Sequence, residues 1–357
     1  MISLGIMTLN NTSERTYINE IAKRANANGM NCYRFIPTDI HPGSKHIKGE
    51  FYNKDADRWE SSTFLLPELV YDRCYYQEDF HSKQCQAIVN WMKQSGKTIF
   101  LGMGLPNKLE IYRTLKQSSL SPYLPKSEPF TSAKSFIAQL KTDKQLVLKP
   151  INGSQGKGIY VVQLLNDNLI ISTDKQEKHI SQTMSVKSAT NWLTKLTRKY
   201  QYFIQPLLYL KNENNQPFDL RIFLQKDEKG VWNELSRGMR TGKTDGIISN
   251  LSAGGSITSF TEWVNTLPSK QRAFLKEELE DILSKLPDLL ESIFPPLFEI
   301  GIDIGIENNG AIWILDINSK PGRKMVLETK PELAEQLYLA PILFGKHLLS
   351  ANTFERK

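Results

Sequence analysis

Two apolar runs separated by a short polar turn most strongly constrain what this chain can fold into. Residues 298–306 read FEIGIDIGI, residues 310–318 read GAIWILDIN, and Asn308-Asn309-Gly310 joins them. Asn-Gly between apolar runs favours a tight β-hairpin, because both residues tolerate positive φ angles. We therefore predict two long antiparallel strands in a chain of 357 residues, a length that favours two or three domains.

Three polar side chains interrupt the apolar hairpin: Asp303 on the first run, and Asp316 and Asn318 on the second. Side chains two positions apart on a strand share a face, so Asp316 and Asn318 point the same way, and Asp303 can lie there too. Two carboxylates and an amide oxygen are a hard oxygen set that suits Mg²⁺. A hairpin with one solvent-exposed face would show the same alternation, so the pattern alone is only weak evidence for a metal site.

A glycine-rich loop between two strand-like runs is the second informative feature. Residues 146–162 read LVLKPINGSQGKGIYVV, with Lys149 and Pro150 at the end of the first run. Glycines let backbone N–H groups approach an anion, and a nearby lysine adds charge. The phosphate-loop pattern is not matched, because Gly158 follows Lys157 where that pattern needs Ser or Thr. The segment is either a slack hairpin turn or a flap over a phosphate group.

The first 104 residues have the pattern of a small α/β domain. A strand at 4–9, a helix capped by Ser13 and ended by Asn28-Gly29, and a strand at 31–36 predict a βαβ unit with parallel strands. A second helix is predicted at 79–95, before a strand at 98–103. Its expected buried face consists of Phe80, Ile88, Trp91 and Met92. No G-x-G-x-x-G follows the first strand, so a dinucleotide fingerprint is absent.

The rest of the chain mixes helices and strands. Helical patterns cover 107–117, 132–141 and 269–293, and a closing helix follows Pro331. Pro287 is expected to kink the helix at 269–293. Strands are predicted at 201–207, 219–224 and 231–239, before a loop at 245–256 that is rich in Gly, Ser and Asn.

Composition narrows the function classes. Apolar residues make up 40% and charged residues 23%, as in ordinary globular proteins, and a net charge of +7 suits an anionic ligand such as a nucleotide as well as nucleic acid. The three cysteines form no C-x-x-C pair, which argues against zinc sites and disulfides. The N-terminus lacks the pattern of a signal peptide, and no apolar run is long enough to span a membrane. We expect a cytoplasmic protein.

Several further residues complete a pattern. Lys108 opens a helix, FIQPLLYL covers 203–210, Asp219 and Arg221 lie on one strand, and Arg237 and Arg240 precede a loop with Asn250. With the flap and the hairpin, this order resembles the ATP-grasp superfamily over roughly residues 105 to 345. Examples of that superfamily are D-alanine–D-alanine ligases, glutathione synthetases and ribosomal-protein glutamate ligases. Two positions depart from the glutamate ligases: Ile248 replaces an arginine, and Asp316 replaces the usual glutamate.

This resemblance implies a role for each candidate residue. Lys108 and Lys149 would hold ATP phosphates, with the flap Gly153, Ser154, Gln155, Gly156, Lys157 and Gly158 above them. Gln205, Pro206, Leu207 and Leu208 would line the adenine pocket, with Arg221 and Asn250 as further nucleotide contacts. Arg240 and Lys157 would stabilise charge in the reaction, and Asp303, Asp316 and Asn318 would bind Mg²⁺.

Over its whole length the chain is most similar to the YheC/YheD family of endospore coat-associated proteins. The marks are LKPINGSQGKGI, FDLRIFLQK, NLSAGG and the EIGIDIGI…GAIWILDINSKPGR hairpin. The resemblance implies an α/β fold: a small N-terminal Rossmann-like domain at 1–104, then an ATP-grasp fold of two α+β subdomains at 105–210 and 211–350.

The resemblance also implies chemistry and partners. A carboxylate–amine ligase would use MgATP to form an acylphosphate, with an unidentified carboxylate substrate and amine acceptor, no nucleic acid, no membrane span, and association with the spore coat. An ATP-grasp kinase acting on a small molecule and a non-catalytic coat protein remain open alternatives. Both enzymes release ADP, but only the ligase releases phosphate in step with amide formation.

Overall fold

Three β-sheets, each flanked by helices, form the protein. The structure is a computed structural model that describes residues 1–41, 43–44, 46–153, 156–175, 178–249 and 255–355. The strands of the three sheets lie within residues 2–100, 128–206 and 218–318. The prediction of domain borders near residues 104 and 210 stays a prediction.

The first sheet contains the predicted βαβ unit. Its strands are β1 (Ile2–Met7), β2 (Met30–Phe35), β3 (His46–Asn53), β4 (Arg58–Leu65), β5 (Leu69–Asp72) and β6 (Ile99–Phe100), in the spatial order β4-β3-β2-β1-β5-β6. Strands β2, β1, β5 and β6 are parallel, and β3 and β4 add an antiparallel edge. Helices α1 (Arg15–Ala27) and α2 (Phe80–Ser95) belong to this part of the chain.

Three local predictions for this part are wrong. Helix α1 follows Glu14 in a left-handed conformation, and no side chain caps its first turn, so Ser13 is not the cap. The strand predicted at 98–103 is only the two residues of β6. Helix α2 buries Ser82, Cys85, Val89 and Met92, so Met92 is the one fully buried member of the predicted face. Phe80 and Trp91 are exposed instead, and Val89 and Met92 pack into a hydrophobic core with residues of the first sheet.

The second sheet is antiparallel throughout and carries the glycine loop. Helix α3 (Lys108–Leu115) precedes it. Its elements are β7 (Glu128–Pro129), α4 (Ala133–Asp143), β8 (Gln145–Pro150), β9 (Tyr160–Leu165), β10 (Asn168–Lys175), β11 (Lys178–Ser185), α5 (Val186–Lys199) and β12 (Tyr202–Pro206). The strand order is β11-β10-β9-β8-β12-β7, and the loop connects the neighbours β8 and β9. The sequence patterns did not identify β10, β11 and α5.

The third sheet contains the predicted hairpin. Its elements are β13 (Phe218–Lys226), β14 (Trp232–Thr241), β15 (Ser256–Ser259), α6 (Phe260–Asn265), α7 (Ser269–Ile293), β16 (Glu299–Ile306) and β17 (Ile312–Asn318), with the strand order β15-β14-β13-β16-β17. Gly310 has a φ of 89°, as the predicted turn requires. Helix α7 covers the predicted range and continues through Pro287. Its apolar face joins the core of the sheet through Leu275, Leu279, Ile282, Leu286 and Leu290.

The chain finally returns to its N-terminal part. Helix α8 (Lys324–Thr329) is followed by α9 (Ala334–Glu355), which packs against α1. Leu337, Ile342 and Phe344 of α9 share one hydrophobic core with Ile18 and Ile21 of α1. Arg24 of α1 also pairs with Glu335 at the start of α9. In the part of the chain that the structure describes, no helix combines the length and apolar character needed to cross a bilayer.

Candidate functional site

A cleft of about 1890 Å³ lies where the three sheets meet. Among the described residues, every side chain or loop position predicted for the site lines this cleft. They are Lys108, Lys149, Gly153, Gly156, Lys157, Gly158, Gln205, Pro206, Leu207, Leu208, Arg221, Arg240, Asp303, Asp316 and Asn318. Ser154, Gln155 and Asn250 were also predicted but lie outside the described residues.

The two acids of the hairpin are direct neighbours across its strands. Asp303 on β16 is the register partner of Asp316 on β17, and a bulge follows this pair. The Nδ2 of Asn318 donates to Oδ2 of Asp316 at 2.9 Å. Lys108 at the start of α3 places its Nζ 2.8 Å from the same Asp316 oxygen. The hairpin therefore gathers the three predicted metal ligands on one face, and a lysine from another element reaches them.

Two arginines hold the other acid. Arg221 pairs with Oδ1 of Asp303, and Nη2 of Arg240 lies 2.9 Å from that same oxygen. Arg240 also donates two hydrogen bonds, of 2.7 and 2.6 Å, to the carboxylate of Asp219. Burial raises the pKa of Asp303, but the charges and hydrogen bonds of the two arginines outweigh it and lower the pKa to about 2. Asp303 is therefore ionised at any physiological pH.

Lys149 has a different environment from Lys108, Arg221 and Arg240. It lies at the end of β8, and within the described ranges no carboxylate is within the 4 Å of an ion pair with its Nζ. Burial lowers the pKa of Lys149, and the nearby charge of Lys108 lowers it further, to about 8. Asp316 and Asp303 oppose this shift only in part. An added anion beside Lys149 would therefore favour its charged form.

The protein side chains of the cleft could supply only some of the ligands of a divalent cation. No group of three or more His, Cys, Asp or Glu side chains in the described part of the chain could hold a metal. Asp303 and Asp316 supply two carboxylates, and Asn318 can add an amide oxygen. Mg²⁺ usually takes one or two carboxylates and completes its six ligands with water and phosphate oxygens. The hairpin fits this type of site and does not fit an all-protein cage.

The glycine loop is shaped by its contact with the third sheet. Gly156 has a φ of 69°, and a Cβ placed on it would lie 2.8 Å from Cδ1 of Ile248. A side chain at this position would therefore be strained in its backbone and would clash with Ile248. Gly156 brings the loop backbone close to the segment that follows β14.

The predicted adenine-binding segment is held from two sides. Gln205 is buried, and its Nε2 donates to Oγ of Ser127 at 2.7 Å. Oε1 of Glu307, at the end of the hairpin strand β16, accepts a hydrogen bond of 3.0 Å from the backbone N–H of Tyr209. Leu207 and Leu208 lie between these two fixed points and line the cleft. The sequence patterns did not identify Glu307.

Comparisons with known proteins identify the family and the fold. The family model of YheC/D-like ATP-grasp proteins matches residues 97–348. The chain belongs to this family. Endospore coat-associated protein YheC of Bacillus subtilis (strain 168) is 37% identical over 355 residues, which are 98% of this chain and 97% of that protein. Endospore coat-associated protein YheD of the same strain is 25% identical over 301 residues, which are 83% of this chain and 66% of that protein.

Solved structures show the same fold. D-alanyl-alanine synthetase A from Vibrio cholerae O1 biovar eltor is similar with a TM-score of 0.57 over 96% of this chain and 98% of that chain, at 11% identity. ATP-grasp ligase PsnB, in complex with a minimal precursor, has a TM-score of 0.54 over 96% and 99%, at 14% identity. This YheC/D-like chain has the ATP-grasp fold that the resemblance implied.

In this ATP-grasp protein, the segment after Asn318 is held by the first sheet. Oγ of Ser319 accepts a hydrogen bond of 3.0 Å from the backbone N–H of Leu105. Nζ of Lys320 lies 2.7 Å from Oδ1 of the buried Asp72 at the end of β5. The N-terminal part of the chain therefore fixes the position of the candidate metal ligands, although it supplies none of them. These contacts join distant residues, and no local sequence pattern indicates them.

A buried charge cluster strengthens the same junction. Arg73, which is 0% exposed, donates to Glu14 at 2.6 Å and pairs with Glu299 of β16. Arg323 lies between the same two acids, with bonds of 2.9 Å to each. Burial alone would raise the pKa of Glu14, but the charges of both arginines lower it to about 2. The cluster therefore joins the N-terminal part to the hairpin strand β16 through buried ion pairs.

Proposed function

We propose that this protein is a MgATP-dependent carboxylate–amine ligase that acts through an acylphosphate. The observation that carries the proposal is the convergence, in one cleft, of the acid pair Asp303 and Asp316 with the cations Lys108, Lys149 and Arg240. Acids of this kind suit Mg²⁺, and cations of this kind suit transferred phosphate. The solved ligases with the same fold support the reaction class.

The residues have distinct roles in this proposal. Lys149, which has no carboxylate partner among the described residues, would meet the ATP phosphates, and the glycine loop would cover them. Asp303, Asp316 and Asn318 would hold Mg²⁺, which would neutralise phosphate charge. Lys108 and Arg221 pair with the candidate metal-binding acids and would turn to phosphate oxygens when nucleotide binds. No side-chain nucleophile is required, so catalysis would depend on positioning and on charge stabilisation.

The proposed reaction has two steps, phosphoryl transfer and amide formation, and it needs only ATP, the carboxylate and the amine. A substrate carboxylate oxygen attacks the γ-phosphorus, the bond to the β-phosphate oxygen breaks, and ADP leaves. An amine nitrogen then attacks the acyl carbon, the bond from that carbon to the phosphate oxygen breaks, and phosphate leaves as the amide forms. The amine proton passes to solvent or to the leaving phosphate. Arg240, held by Asp219, would stabilise the developing negative charge of both steps.

A non-catalytic role in the spore coat is the second candidate. It is favoured by the pairing of both hairpin acids with cations, Asp303 with two arginines and Asp316 with Lys108. If these ion pairs persist, the two carboxylates cannot bind a metal ion. The names of the two Bacillus subtilis relatives refer to the coat and to no reaction.

Calorimetric titration of the full chain with ATP, with and without Mg²⁺, tests the proposal. We expect Mg²⁺-dependent binding in the parent and its loss in the double variant Asp316→Ala with Asn318→Ala. Asp143→Asn, at the exposed end of α4, is the matched control and should bind like the parent. Phosphate release in step with amide formation would then separate a ligase from a small-molecule kinase. A folded parent that binds no MgATP would contradict the enzyme proposal.

A further inference from the structure

The side chain of Asp174 in the second sheet binds the backbone of the segment that follows strand β14 of the third sheet. Oδ2 of Asp174, on β10, accepts hydrogen bonds from two consecutive backbone N–H groups, Ile247 at 2.7 Å and Ile248 at 3.0 Å. Its other oxygen lies 2.9 Å from Nδ1 of His179 on β11. Two adjacent amides directed at one carboxylate oxygen form an anion-binding arrangement that is stronger than a neutral hydrogen bond.

The bound segment, residues 242–249, is anchored separately in its own sheet. The N–H of Gly242 donates to the carbonyl of Pro217 at 2.8 Å, and the N–H of Asp245 donates to that of Asn215 at 3.1 Å. These bonds fix the base of the segment beside β13. Its tip, at Ile247 and Ile248, is fixed by Asp174 from across the cleft. The segment therefore connects the second sheet to the third.

The same stretch of β10 also contacts the glycine loop. Oγ1 of Thr173, next to Asp174, donates to the carbonyl of Ile159 at 2.7 Å, where the loop ends. At the other side of the loop, Gly156 fits closely against Ile248. Asp174 thus lies at the point where the loop, the second sheet and the 242–249 segment meet. Its side chain is 11% exposed, so solvent screens these contacts only in part.

We propose that Asp174 is a positioning residue that holds the cleft closed over the phosphate groups of the bound nucleotide. This inference rests on the proposed nucleotide site. Asp174 itself lies outside the lining of the cleft, and it acts through the backbone of Ile247 and Ile248, both of which line it. In this proposal, release of nucleotide would need the second sheet to separate from the 242–249 segment at this point. Loss of the carboxylate should therefore accelerate release.

The test compares Asp174→Ala and Asp174→Asn with the parent and with Asp143→Asn, an exposed acid of the same sheet region. Stopped-flow displacement of a fluorescent ADP analogue, with Mg²⁺, gives the release rate. We expect release to be about tenfold faster in Asp174→Ala, because two charge-assisted hydrogen bonds are lost. Asp174→Asn keeps a neutral acceptor and should be intermediate, and the thermal midpoint should change little in either variant.

Amide hydrogen exchange in the protein without nucleotide gives an independent readout. The amides of Ile247 and Ile248 should exchange faster in Asp174→Ala than in the parent, and those of β13 should not. Parent-like release from the alanine variant would overturn the inference, and so would unchanged exchange at the two amides. If the parent fails to bind the analogue, the proposed function fails by itself, and the exchange experiment still decides whether Asp174 holds the segment.

Discussion

The titration of Lys149 provides a quantitative test of the phosphate site. Its pKa is lowered from 10.5 to about 8 by burial and by Lys108. At pH 7 about nine-tenths of the unliganded molecules carry the charge, and at pH 9 about one-tenth do. Bound phosphate favours the charged form. Affinity for MgATP should therefore fall about tenfold between pH 7 and pH 9, and binding at pH 9 should take up close to one proton.

The contribution of Lys149 to the stability of the protein without nucleotide changes with pH in the opposite direction to its contribution to MgATP affinity. Between pH 8 and 10.5 the unfolded chain keeps the proton that folded Lys149 has lost, so the contribution of Lys149 to stability improves as pH rises. The contributions of Lys149 to binding and to stability should thus respond to pH in opposite directions. A nonspecific alkaline loss of structure would instead weaken both.

Calorimetry in two buffers with different ionisation enthalpies measures the proton uptake directly. Lys149→Arg should still bind and should lose the pH dependence, because arginine stays protonated throughout this range. Lys93 is the control in the same cleft: burial lowers its pKa, but it lies 3.4 Å from Asp72 on the N-terminal side. Lys93→Met should keep the slope. A parent that binds MgATP equally well at pH 7 and pH 9 would refute the assignment of Lys149 to the phosphates.

Three further predictions concern other parts of the molecule. Because the folded pKa of Glu14 is about 2 against 4.5 ordinarily, its contribution to stability is complete above pH 4.5 and is lost as pH falls through about 2; urea unfolding of Glu14→Gln should show a flatter acid response than the parent. Leu279→Ala removes a fully buried side chain and should lower the free energy of unfolding by about 2–5 kcal/mol, whereas Leu165→Ala, at an exposed position, should change it by less than about 0.5 kcal/mol. Gly156→Ala should weaken MgATP binding in calorimetry by forcing the loop away from its neighbour, and Gly96→Ala, which has a similar φ but open space, should leave binding intact.

The hairpin shows how far sequence reasoning extends. The alternation of apolar and polar residues and the Asn-Gly turn predicted both strands and placed Asp316 and Asn318 on one face that Asp303 could share. The structure adds that Asp303 lies directly opposite Asp316. These signals are local, because strand period and turn chemistry are set by adjacent residues. The convergence of Lys108 with this pair was available only through resemblance to a family. Once the family was identified, the order of motifs along the chain predicted which residues meet in the cleft.

The failures have a common physical cause. Helix α2 has one face with the large apolar residues Phe80 and Trp91 and another with Ser82 and Cys85, and side-chain size alone favoured the first. The sheet beneath decides which face fits, and a helix pattern does not contain that information. The same holds for the partner of Asp174, since backbone amides have no sequence signature. Contacts between distant segments were the part that could not be predicted.

The return of α9 to α1 affects how the chain can be divided. Every strand of the second and third sheets lies between these two helices in sequence, yet Leu337, Ile342 and Phe344 of α9 are buried with residues of the first sheet and α1. A fragment beginning near residue 105 would keep α9 and expose its apolar side. A fragment ending there would lack the helix that covers α1. Expression of either piece should give aggregation, because the ATP-grasp part and the N-terminal part share this hydrophobic core.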